Sequence, residues 1–116
     1  MTGREAVAQV QARRKEGDCF VKWWRQADDL VDFELIEPFL AKVASGQAVD
    51  GLELLDLEGM WRLFTELNPD QVTRTVQSGT EVIQWIWQDG QGHEKVNIYP
   101  FTPAGLKSLI DNDFFA

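Results

Sequence analysis

Apolar and polar residues alternate most sharply between Thr80 and Asp89, where Ile83, Trp85 and Trp87 take every second position and Val82, Gln84, Ile86 and Gln88 the positions between. A period of two, rich in β-branched and aromatic residues and free of Gly and Pro, predicts a strand. Asp89-Gly90-Gln91-Gly92 follows it, a loop of residues that tolerate positive φ, so the chain is expected to return antiparallel through Val96, Ile98 and Tyr99. Upstream, residues 71–77 (QVTRTVQ) predict a third strand that enters the first through Ser78-Gly79. The result is a three-stranded meander over 71–77, 80–88 and 94–100.

Elsewhere the apolar spacing has a period nearer 3.6. Thr2 to Glu16 has good helix formers, with Ala6, Val7 and Val10 on a narrow stripe and Gly17 beyond its end. Asp18 is placed as an N-cap, followed by Phe20, Trp23, Trp24, Ala27, Leu30 and Val31 at helical spacing, which predicts an amphipathic helix with both tryptophans turned to the sheet. Pro38 to Ser45 predicts a short helix closed by Gly46. Gln47 to Leu55 is expected to be a connector. Asp56 caps a helix that runs to Leu67 and ends at Asn68-Pro69, with Met60, Leu63, Phe64 and Leu67 buried, and Thr102-Pro103 starts a last helix with Leu106, Leu109 and Ile110 inward. The terminal Asp113-Phe114-Phe115-Ala116 is expected to dock on the domain.

The expected fold is therefore α+β. N-terminal helices are followed by a three-stranded antiparallel meander and a C-terminal helix, with a single layer of helices on one sheet face. One domain covers residues 1–116, and residues 1–16 are able to act as a mobile helical arm. Such a short sheet has two edges, so pairing of two copies through an edge, or through the Trp85/Trp87 face, is geometrically available.

Charge changes this picture by its distribution more than by its total of −8. Residues 1–27 hold six Lys/Arg against three acids, whereas residues 28–66 hold ten acids against Lys42 and Arg62 alone. Phosphate binding needs clustered cations, so direct nucleic-acid binding is disfavoured, and Arg13-Arg14-Lys15 is too short a run to reverse that. An acidic middle suits solubility, a basic protein partner or, as a special case, imitation of nucleic acid in a basic groove. The single Cys19, the lack of a leader-like opening and the lack of a long apolar run favour a cytoplasmic, non-membrane protein.

Candidate chemistry is thin. His93, the only histidine, sits at the mouth of the hairpin, where a solvated turn residue is the default, and nothing in the spacing joins it to Cys19 as a dyad. Cys19 near a predicted helix start would have a lowered pKa, against the commoner outcome of a small buried hydrophobe. Asp28 and Asp32 share a predicted helix face without the calcium-loop pattern, and Gly90-Gln91-Gly92 joins two strands and opens no helix, so neither a metal nor a dinucleotide site is expected. No cofactor is implied.

What remains is a small acidic, non-catalytic protein of regulatory or adaptor type that binds a protein partner. The residues that would meet the partner are Asp28, Asp29, Asp32 and Glu34 of the acidic segment together with Trp85, Trp87 and Tyr99, because aromatics anchor interfaces and an acidic rim steers a basic partner. Five tryptophans and seven phenylalanines in 116 residues are more large aromatics than such a core needs. The alternative is a small-molecule domain, weakly enzymatic at most, whose pocket is lined by Trp85, Trp87 and Tyr99 with Gln84, Arg74 or Asn97 to orient the ligand.

Overall fold

Residues 2–27, 29–67 and 72–114 are described by a computed structural model, the side chains of Leu30, Asp113 and Phe114 excepted. The chain divides after Met60 into two compact units. Among the described residues each contains a three-stranded antiparallel sheet, and four α-helices and one π-helical turn accompany them. This corrects the expectation of one meander under one helix layer: a second sheet occupies the region read as helix and connector.

In the first unit α1 (Gly3–Arg13) begins at Thr2, whose hydroxyl accepts from the Glu5 amide. Next come β1 (Asp18–Arg25), β2 (Leu30–Leu35), α2 (Ile36–Ala44) and β3 (Gly51–Asp56), with strand order β2-β1-β3. The Asp18–Val31 stretch is thus a hairpin and not a helix. Its turn contains Asp29 at φ +50°, left-handed backbone that Asp adopts more readily than most residues. Strand geometry sends neighbouring side chains to opposite faces. Val21 and Trp23 face α1 and α2, and they close a core with Ala6, Val10, Ile36, Phe39, Val43, Val49 and Leu52. Trp24 points the other way, and its indole lies so close over Gly51 that a Cβ there would overlap the ring. The former connector is β3 because Leu52 and Leu54 alternate with Glu53 and pair with Trp23 and Val21.

α3 (Leu57–Leu67) carries the chain across the division, with Asp56 capping it through a 2.6 Å bond from the Gly59 amide. The second unit is the expected meander, β4 (Val72–Gln77), β5 (Thr80–Gln88) and β6 (Glu94–Pro100), followed by α4 (Pro103–Leu109) and a π-helical turn over Ile110–Phe114. Thr102 accepts from the Gly105 amide and Pro103 opens the helix, as the Thr-Pro pair predicts. Phe64, Val72, Ile83, Leu106, Leu109 and Ile110 are its buried apolar side chains. Trp61 meets Phe64 and, edge-on at 5.7 Å, Phe101. The end of α3 at Asn68-Pro69 and the docking of the Phe114-Phe115 tail lie outside the described residues.

Candidate functional site

The register of the second sheet sorts its side chains into two unlike faces. Val72, Arg74, Ile83, Trp85, Asn97 and Tyr99 share one, because Trp85 pairs with Val72 and Asn97, and Ile83 with Arg74 and Tyr99. This inner face holds the buried Val72 and Ile83, and Trp85, Trp87 and Tyr99 beside them are half-buried. The indole nitrogen of Trp87 is enclosed with no hydrogen-bond partner among the described residues. Arg74 is committed on the same face: it pairs with Glu81 and its guanidinium lies 3.7 Å from the centre of the Phe101 ring. Gln84 projects from the opposite face, so it does not join Trp85, Trp87 and Tyr99 around one space.

The outer face is of another character. Thr73, Thr75 and Gln77 of β4 align with Thr80, Val82, Gln84, Ile86 and Gln88 of β5, and these with Glu94, Val96, Ile98 and Pro100 of β6. One of these twelve positions, Glu94, is ionisable, where the chain's 26% charged content would place about three. Ile86, Val96 and Ile98 are 38%, 47% and 51% exposed and adjoin as a triangle in the register, Ile86 opposite Val96 and Ile98 opposite Gln84. A clustered apolar patch on an otherwise acidic chain is the feature most in need of a partner. The residue pattern carried this signal, since Val82, Gln84, Ile86 and Val96, Ile98 alternate with the tryptophan face. The tryptophans lie on the opposite, inner face.

The acidic segment is dispersed by the fold. Asp29 is exposed in the β1–β2 turn and Asp32 is exposed on edge strand β2, whereas Asp28 lies outside the described residues. Glu34 is 7% exposed, accepts from the Leu35 amide and pairs with Lys42 of α2 at 3.0 Å. It closes the side of the first core and is not presented to a partner.

Reactive groups are equally separate. Asp89 organises the β5–β6 loop by accepting from the amides of Gln91 and His93, and the exposed His93 imidazole stands 3.6 Å from its carboxylate. Cys19 lies in β1 and not at a helix start. Partial burial, then the carboxylates of Asp56 and Asp18, push its thiol up from the usual 9.0. Alkylation by iodoacetamide is therefore expected to be slow at pH 7 and to rise with a midpoint above that of a cysteine peptide. A midpoint at or below the peptide's would contradict this environment. No group of three metal-ligating side chains occurs among the described residues, and no described helix is long and apolar enough to cross a membrane.

Several open hollows remain in the first unit. One, of about 690 Å³, runs between α1 and α2 along Gly3, Val7, Ala8, Val43 and Ala44. Another of about 320 Å³ lies beside Trp24, Lys22 and Val31. Thr2, Arg4 and Gln11 also line the first, and Arg25, Gln26 and Asp29 the second. Compared with family models, with curated proteins and with solved structures, the chain matches none.

Proposed function

We propose that this chain is a small, acidic, non-catalytic protein-binding module of regulatory or adaptor type, and that the outer face of its second sheet is the contact surface. The observation that carries the reading is the near absence of charge on that face, around the exposed triangle of Ile86, Val96 and Ile98. Burying Val and Ile is favourable and burying Thr and Gln requires only that they be hydrogen-bonded, whereas desolvating the Asp and Glu found elsewhere on the chain is expensive unless each is paired. A partner that buries this face therefore offers apolar and uncharged groups. The long-range field of a chain of net charge −8 steers a basic protein toward it, while the uncharged patch makes the contact.

The reading is tested by recovering partners on the immobilised chain, purifying them, and titrating them against wild type and Ile86→Lys. A lysine at the centre of the patch is expected to weaken binding by at least tenfold, since burying an unpaired charge costs about 2 kcal/mol or more. Unfolding of the isolated chain should change little, because position 86 faces solvent. Binding that survives Ile86→Lys but is lost when Asp29 and Asp32 are neutralised would move the contact to the first unit.

A further inference from the structure

We infer that β6 is a self-pairing edge, through which two copies of the chain join antiparallel about Asn97 into one continuous six-stranded sheet. The inference goes beyond the protein-binding reading, because pairing through the β6 edge leaves the outer face open to a partner.

Among the described residues β6 is paired on one side only, with β5. Two bonds fix the phase of that pairing: the Asp89 amide donates to the His93 carbonyl, and the Phe101 amide donates to the Glu81 carbonyl. Bonded pairs alternate in an antiparallel ladder. Lys95, Asn97 and Tyr99 therefore bond to β5, and Val96 and Ile98 direct their N–H and C=O groups to the open edge. A twofold axis at Asn97 sets Val96 opposite Ile98 of the second copy, and Ile98 opposite its Val96, so both residues exchange both backbone bonds across the axis. The ladder stops at Pro100, which has no N–H and whose carbonyl already accepts from the Thr102 amide.

Side chains in this register are compatible at every position. Lys95 falls opposite Tyr99, and Glu94 opposite Pro100, so the two charges of β6 meet neither each other's like nor their own copies. The other edges fail this test. Asp32 and Glu34 on one face of β2, Glu53 in β3 and Arg74 in β4 lie near the middle of their strands, and a twofold axis at any of them sets that charge against its own copy. On the outer face the β6 register also joins the two Ile86/Val96/Ile98 triangles into one apolar strip across four strands. The contact is smaller than the roughly 1,200 Å² of a stable interface, so the dimer is weak and concentration-dependent. It strengthens as salt rises, because the repulsion between two chains of net charge −8 is screened.

Sedimentation velocity from about 1 to about 500 µM, a range that brackets a weak interface, reads the outcome. Wild type is expected to move from 13.2 kDa toward twice that mass. Val96→Lys with Ile98→Lys, and Val96→Glu with Ile98→Glu, should each be monomeric, whereas an equimolar mixture of the two double variants should associate at least tenfold more tightly than wild type. Near-ultraviolet circular dichroism of the tryptophans establishes that both variants are folded. A wild type that stays monomeric, or a mixture that associates no better than its components, overturns self-pairing. If Ile86→Lys still abolishes capture of a purified heterologous partner in that case, the protein-binding reading stands without it; if it does not, both fall.

Discussion

Gly105→Ala is expected to destabilise the second unit by about 3 kcal/mol, at the upper end of what overpacking a core costs. Helix propensity alone gives the opposite sign, since alanine in place of a helical glycine stabilises by about 1 kcal/mol. Packing decides because Gly105 is buried in the first turn of α4, where a Cβ would overlap the Pro100 carbonyl oxygen and crowd the proline ring. The carbonyl cannot step aside without giving up the bond it accepts from the Thr102 amide. Thr102 in turn caps the helix through Gly105 itself. One methyl group therefore strains the end of β6, the connection and the start of α4 together. Urea unfolding followed by tryptophan fluorescence measures the loss, with Ser108→Ala, at an exposed position of the same helix, as the near-neutral reference. A Gly105 variant as stable as wild type would mean that β6 and α4 do not meet as closely as described.

The second unit was legible because its local signals agree: alternation on β5, a loop of Gly and Asp after it, and Thr-Pro at the start of α4 all specify one structure. The first unit was misread because Phe20, Trp23, Trp24, Ala27, Leu30 and Val31 satisfy helical spacing and, equally, a two-strand hairpin. What separates the alternatives is the turn, and the Gln26–Asp29 turn contains neither Gly nor Pro. The composition of β1, with Cys, Phe, Val and two Trp in eight residues, favours a strand, but it was outweighed by an apparent N-cap at Asp18. That carboxylate instead accepts from the Lys15 amide in the turn before the strand. β3 depends on β1 in the same way, since Gly51–Asp56 is recognisable as a strand only once β1 supplies its neighbour. The candidate site shows the same limit. Alternation tells which residues of β5 and β6 share a face, while which face is covered depends on residues outside the meander, the buried Phe64 and Leu106 among them.

Trp23 and Trp24 provide the sharpest test of the corrected first unit, because helix and strand assign them differently. On a helix, adjacent tryptophans at these positions share the buried side and their losses are similar. On β1 they point to opposite faces. Trp23 is 3% exposed and packs at 5.9 Å on Phe39, whose ring is wholly buried among α1, α2 and the sheet. Trp23→Ala removes the largest side chain from that core and leaves a cavity that the neighbouring helices and strands cannot fill, for a loss of about 4 kcal/mol. Trp24 is partly buried and covers Gly51, so Trp24→Ala forfeits a lid over β3 at a cost of about 1–2 kcal/mol. Gly51→Ala should resemble the Trp24 variant, because a Cβ at position 51 displaces the same ring. Equal losses for the two tryptophans would restore the helix. A ratio near three, with Gly51→Ala grouped with Trp24→Ala, places β1 between β2 and β3 and fixes the register in which Trp24 pairs with Gly51.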